Sequence, residues 1–141
     1  MPHVLIATDA DFVADEISAA LGGTGTRISQ VRAGVEVRDA VREVEPDLVV
    51  LDLQIGNQGG MATCMDLRLE AGAGRLPPTP VLMLLDRAAD LFLARRSHAD
   101  GWLVKPLDAF RLRRAASALL GGGAYHEGTE EEEPSLPSAM A

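Results

Sequence analysis

The stretch PDLVVLDLQIGNQGG, residues 46–60, decides the fold of this 141-residue chain. Its aliphatic run, Leu48–Leu51, predicts a strand that is buried on both faces, as in a parallel sheet. A carboxylate, Asp52, follows the run directly, and a loop with three glycines comes next. The sequence therefore predicts a buried strand that delivers an acidic side chain to its own end.

The same alternation extends along the chain, where short apolar runs are followed by segments with apolar residues at helical spacing. The predicted strands cover 3–8, 26–32, 47–52, 79–85 and 101–105. The predicted helices lie within 9–23, 34–45, 59–74, 86–100 and 107–120. Five β–α units of this length predict a doubly wound α/β domain, a three-layer sandwich whose parallel strands are joined by right-handed crossovers.

Charge separates the predicted domain, residues 1–120, from the remaining segment, 121–141. The formal net charge is −8, and 121–141 contributes five acids with no Lys or Arg. The body therefore holds 16 acids and 13 bases, and it lacks the strongly basic surface of a nucleic-acid-binding protein. The segment 121–141 cannot build a core, and we expect a flexible acidic tail.

Composition also sets the expected environment. A single cysteine excludes an internal disulfide framework. The N-terminus has no basic segment followed by an apolar stretch, and no apolar run approaches the ~18 residues of a membrane span. These features predict a soluble cytoplasmic protein.

Three charged residues are expected at one edge of the sheet. In open α/β sheets, ligands bind at the carboxyl ends of the strands where the strand order reverses. Asp9 follows the first strand, Asp52 ends the third, and Lys105 ends the fifth. Two close carboxylates favour a hard cation such as Mg²⁺ between them. A carboxylate beside Mg²⁺ and an ammonium is placed to attack a phosphoryl group.

At these residues the chain resembles the receiver domains of two-component response regulators, over residues 3–120. The matching stretches are VLIATDAD, PDLVVLDLQIGNQGG, TPVLMLLD and ADGWLVKPLDAFRL. The resemblance implies a flavodoxin-like fold with a parallel sheet of order 2-1-3-4-5. It also implies that Asp52 is the phosphoacceptor and that Lys105, before a cis peptide to Pro106, contacts the phosphoryl group.

By the same resemblance, Mg²⁺ is bound by Asp9, Asp52 and the backbone carbonyl of Gln54, and Trp102 occupies the position of the aromatic switch residue. Four positions depart from the family. Gly56 and Gly59 stand where the family usually has Pro and Asp, so we expect a more flexible loop after Asp52. Thr8 stands where the family usually has a second acid, so Thr8 is a doubtful ligand and we expect weaker metal binding. Leu85 stands where the family usually has Ser or Thr, and leucine has no donor for the phosphoryl oxygen.

The last two helices carry a second candidate site. Seven of the 13 bases fall in 86–120, and apolar side chains there have the helical phase of partly exposed residues. Exposed apolar groups rimmed by charge indicate an interface. The predicted interface residues are Leu91, Leu93, Arg95, Phe110, Arg111 and Arg114. In the family this face, made of the fourth helix, fifth strand and fifth helix, docks partners or a second receiver, so we expect a homodimer.

The sequence thus predicts an atypical, single-domain response regulator and not an enzyme. It would accept a phosphoryl group from a histidine kinase or a small phosphodonor, and signal to a downstream protein by contact, without binding DNA or membrane. The alternative is a phosphorylation-independent pseudo-receiver that acts as a binding or dimerisation module. A flavin- or nucleotide-binding enzyme is disfavoured, because the segment TDADF after the first strand lacks the glycines of a phosphate-binding loop.

Overall fold

The computed structural model describes residues 1–23 and 25–127. Its strands are β1 (His3–Ala7), β2 (Arg27–Val31), β3 (Leu48–Asp52), β4 (Val81–Leu85), β5 (Gly101–Val104) and β6 (Tyr125–His126). Its helices are α1 (Asp11–Leu21), α2 (Val37–Val44), α3 (Gly60–Gly72), α4 (Leu91–Arg96) and α5 (Ala109–Leu120). Short 3₁₀ turns, Gly34–Glu36 and Ala88–Asp90, lead into α2 and α4.

The strands form one parallel sheet of order β2-β1-β3-β4-β5-β6. This order confirms the predicted doubly wound sheet and its sequence 2-1-3-4-5. The sheet places β1 and β3 side by side at the point where the strand order reverses. The carboxyl ends of these two strands therefore open into one crevice.

Alternation along each strand divides the core into two layers. In β3, for example, Val49 and Leu51 pack with α2, α3 and α4, whereas Leu48 and Val50 pack with α1 and α5. Both sets are fully buried, which explains why this strand has an unbroken aliphatic run instead of an alternating pattern. The predicted three-layer sandwich is thus present, with a helix layer on each face.

One predicted helix is too long, and one short strand was not predicted. The predicted helix over 86–100 contains only the six residues of α4, because a 3₁₀ turn precedes it and His98 adopts a left-handed conformation (φ 64°) after it. Part of the predicted tail is also structured, since Tyr125–His126 pairs in parallel with β5. The flexibility predicted for 121–141 stays a prediction. Residues 128–141 lie outside the described part of the chain.

Candidate functional site

Asp52 sits at the end of β3 and is only 3% exposed. The Lys105 ammonium donates to its Oδ1 at 2.9 Å, and the amide of Gln54 donates to the same oxygen at 3.2 Å. The Thr8 hydroxyl donates to Oδ2 at 2.8 Å. Burying a carboxylate is costly unless it is paired and hydrogen-bonded, and these three donors meet that need. The structure thus places the predicted Lys105 and Thr8 against Asp52.

Lys105 reaches Asp52 because β5 ends directly before it. Its backbone amide donates to the carbonyl of Leu85 at 2.8 Å, and the expected cis peptide to Pro106 is present. The ammonium also forms an ion pair with Asp86, at 2.8 Å from Oδ1. Burial lowers the pKa of Lys105, but the hydrogen bonds with Asp86 and then Asp52 outweigh that effect and raise its pKa above the ordinary value.

Asp86 is a site residue that the sequence prediction did not assign. It follows β4 directly, so its end-of-strand position was the available signal. A carboxylate there shares the Lys105 ammonium with Asp52. The Lys105 ammonium therefore already pairs with two carboxylates, and any further anion in the crevice would compete with both of them.

Asp9 lies at the mouth of the same crevice and is exposed. Its Oδ2 accepts a hydrogen bond from the amide of Gly56 at 3.1 Å, which ties it to the loop that follows Asp52. In this loop the left-handed residues are Asn57 and Gln58 (φ 50° and 77°), not the glycines. Gly60 is needed for a different reason, since a Cβ there would lie 2.6 Å from the Cα of Leu53.

The oxygen ligands at this edge of the sheet meet only the minimum that a magnesium ion requires. It offers two carboxylates, Asp9 and Asp52, and Mg²⁺ in proteins typically takes one or two carboxylates and keeps several waters. Within residues 1–23 and 25–127, no three His, Cys, Asp or Glu side chains converge as a metal site. The ligand role of the Gln54 carbonyl stays a prediction; the contact that the structure shows is from the Gln54 amide to Asp52.

The two predicted switch positions lie in the same core layer. Leu85 and Trp102 are both buried, on neighbouring strands β4 and β5. The Trp102 ring stacks on the His126 imidazole with 4.1 Å between ring centroids, and its Nε1 donates to the carbonyl of Glu127 at 2.9 Å. The indole is thus held by the segment after α5.

The residues of the predicted interface differ in exposure, and the interface itself stays a prediction. Phe110 is 61% exposed beneath the Arg114 guanidinium, while Leu93 is half-buried and Arg95 exposed. Leu91 is a wrong prediction: it is 8% exposed and packs into the core, because α4 begins at this residue and turns it toward the sheet. The exposed apolar residue at this point of α4 is its neighbour Phe92, which is 54% exposed beneath Arg96.

Comparison with known proteins agrees with this geometry. The sequence model of one protein family, the response regulator receiver domain, matches residues 4–117 of this chain. The chain is 32% identical over 122 residues to the DNA-binding dual master transcriptional regulator RpaA of Synechocystis, covering 85% of this chain and 49% of that protein. It is 33% identical over 117 residues to the response regulator protein PmrA of Pseudomonas aeruginosa, covering 83% and 52%. The chain thus spans about half the length of these relatives.

Solved structures show the same architecture. The signal receiver domain of a histidine kinase from Syntrophus aciditrophicus superposes with a TM-score of 0.75 at 25% identity, covering 96% of this chain and 98% of that one. The chemotaxis response regulator CheY4 of Vibrio cholerae gives 0.73 at 22% identity, covering 83% and 97%. Fold and site thus define a flavodoxin-like α/β signalling domain. The chain belongs to the response regulator receiver domain family.

Within the part of the chain that the structure describes, no helix has the length and apolar content that crossing a membrane requires.

Proposed function

We propose that this receiver domain accepts a phosphoryl group on Asp52. The observation that carries the proposal is the buried Asp52 carboxylate with the Lys105 ammonium 2.9 Å from its Oδ1, at the edge where Asp9 also arrives. Phosphoryl transfer asks a protein mainly for positioning and for stabilisation of negative charge. A fixed carboxylate beside a shared ammonium supplies both.

In the transfer, a carboxylate oxygen of Asp52 forms a bond to the phosphorus of the donor. The bond from phosphorus to the leaving atom, a nitrogen of phosphohistidine or an oxygen of an acyl phosphate, breaks at the same centre. The electron pair leaves with the donor group. Thr8 donates to Oδ2 and Gln54 donates to Oδ1, so only the donor on the phosphorylated oxygen would need a new acceptor, and a phosphoryl oxygen is available for that role.

Asp9 and Asp52 would hold Mg²⁺, with the carbonyl of Gln54 as a further ligand. When bound, the ion would offset charge on the phosphoryl oxygens. With Thr8 in place of a second acid, we expect the affinity for Mg²⁺ to be weak.

We place this activity in the cytoplasm, with a histidine kinase or a small acyl phosphate as donor. Readout would run through protein contact at α4, β5 and α5, where Phe92 and Phe110 are exposed. A homodimer through this face remains part of the proposal, and light scattering at rising protein concentration tests it.

The decisive experiment is incubation with Mg²⁺ and an acyl phosphate, followed by intact-mass measurement. We expect one added phosphoryl group in the wild type and none in Asp52→Ala. Asp39→Asn is the matched control, because Asp39 is an exposed carboxylate on α2 that pairs only with Arg42 among the contacts described. An adduct that persists in Asp52→Ala, or none in the wild type, contradicts the proposal.

A second candidate is a pseudo-receiver that binds partners without phosphorylation. Leu85 favours it, because this buried side chain has no hydroxyl to contact a phosphoryl oxygen. The complete hydrogen-bonding of Asp52 by Thr8, Gln54 and Lys105 also favours it. This candidate predicts no mass adduct and no change of Trp102 fluorescence with beryllofluoride, a phosphoryl mimic.

A further inference from the structure

The outer edge of β5 is covered by three residues from the segment after α5. Tyr125 and His126 pair with Gly101 and Trp102 as the two-residue strand β6. The carbonyl of Glu127 then accepts from the Trp102 indole at 2.9 Å, and its Oε1 accepts from the amide of Val104 at 2.9 Å. This edge therefore binds both the backbone of an extended segment and the carboxylate at its end.

The carboxylate of Glu127 is bound in a forked geometry by one arginine. Arg111 donates from Nε to Oε2 at 2.7 Å and from Nη2 to Oε1 at 2.5 Å. Two parallel charge-assisted bonds of this kind give both strength and geometric selectivity. Burial raises the pKa of Glu127, but the bonds from Arg111 and Val104 outweigh it and lower that pKa below its usual range.

Arg111 is held in place by groups other than Glu127. Its guanidinium donates to the carbonyls of Val104 and Pro106, both at 2.8 Å, and to Oδ2 of Asp108 at 3.1 Å. These bonds do not involve Glu127, and they would keep the fork over the end of β5 without it. The carboxylate-binding position is therefore preformed.

The segment that fills this position is short: apart from the bonds of Glu127, it is held by two strand residues, the stacking of His126 on Trp102 and the partial packing of Tyr125 on the core. It follows the three glycines 121–123, of which Gly122 is left-handed (φ 88°). Its strand has only two residues, and His126 is exposed. Elements with few buried contacts open at low free-energy cost. By contrast, β5 beneath it is buried.

We propose that the outer edge of β5 is a docking site for an extended acidic segment of a partner protein, and that Tyr125–Glu127 occupies it in cis. A partner strand would pair with Gly101 and Trp102 and place a Glu or Asp side chain on Arg111 and Val104. This is strand addition to a sheet edge combined with carboxylate selection. The site shares no residue with Asp52 and its donors, so the proposal does not depend on phosphorylation.

A competition experiment with the 141-residue chain tests this proposal. Trp102 is the only tryptophan, so its fluorescence reports on the edge. A synthetic GGGAYHE peptide, which has no tryptophan, is titrated into the wild type and into Glu127→Gln. We expect the peptide to bind the variant at least about tenfold more tightly, because the cis segment there has lost its charge. The matched GGGAYHQ peptide should bind neither protein.

Three results would overturn the proposal. The first is equal affinity of the GGGAYHE peptide for both proteins, and the second is equal binding of the GGGAYHQ peptide. The third is a wild-type dimer that the peptide dissociates in light scattering, since this would assign the edge to a second copy of the chain. Arg111→Lys supplies an independent check, because it keeps the charge but loses the fork, and we expect peptide binding to fall with it.

Discussion

Two carboxylates of this domain are bound by similar groups but presented in opposite ways. Asp52 receives an ammonium, a hydroxyl and an amide at the end of a central strand. Glu127 receives a guanidinium and an amide at the end of a two-residue edge strand. The first carboxylate belongs to the core, and the second belongs to a short segment at the edge of the sheet.

Each of the two carboxylates is bound by one of two consecutive residues of the chain. Val104 donates its amide to Glu127, and the next residue, Lys105, donates its ammonium to Asp52. The donors of the two carboxylates are thus consecutive residues of the chain, although one serves the outer edge of the sheet and the other serves the crevice.

The largest effect should come from removing the Thr8 hydroxyl. Thr8→Val leaves Oδ2 of buried Asp52 without its donor, and the amide of Ala10 also loses its bond to Thr8 Oγ1. We expect about 1–3 kcal/mol lower free energy of unfolding, the usual cost of an unsatisfied buried polar group. Urea denaturation measures it. Thr8→Ser, which keeps the hydroxyl, should be close to the wild type; equal losses in both variants would show that packing, not the bond, matters.

The comparison also shows what the sequence could and could not predict. Asp52 and Lys105 could be placed together because both end parallel strands, and strand ends share one edge. The hydrogen bond from Thr8 to Asp52 could not be predicted. The sequence shows that a threonine stands where the family usually has an acid, but it does not show where the hydroxyl points. Strand β6 was missed because two residues have no periodicity, and Tyr125 follows glycines that signal only the end of a helix. Leu91 was misplaced because a 3₁₀ turn shifted the start of α4.

Acidification should release the edge segment before the core. The pKa of Glu127 is lowered in the folded state, so its contribution to stability is present above its ordinary pKa of about 4.3 and is lost as the pH falls through the lower folded value. Arg111 stays charged, and Asp108, which also pairs with it, has a lowered pKa. We expect a change in Trp102 fluorescence in this acid range, with a stability change on the order of 1 kcal/mol.

Glu127→Gln is the control for this titration, since it removes the titrating group and should abolish the step. Asp108→Asn should leave most of the step, because Asp108 does not touch the indole. A fluorescence change that coincides with global unfolding by circular dichroism would contradict separate release of the segment.

The smallest effect on stability is expected at Asp86. Asp86→Asn removes one of the two carboxylates that share Lys105, and Asp86 is partly exposed, so we expect a stability change of no more than about 0.5 kcal/mol. The pKa of Lys105 should nevertheless fall, because the hydrogen bond with Asp86 is the larger of the two that raise it against the effect of burial. Side-chain NMR of Lys105 over alkaline pH measures this shift.

Asp39→Asn is the control and should leave the pKa of Lys105 unchanged. An unchanged pKa of Lys105 in Asp86→Asn would mean that Asp52 alone holds the ammonium. If the pKa of Lys105 falls as expected, Asp86 competes with Asp52 for the Lys105 ammonium. A phosphoryl group on Asp52 would then have to compete with Asp86 for the same ammonium.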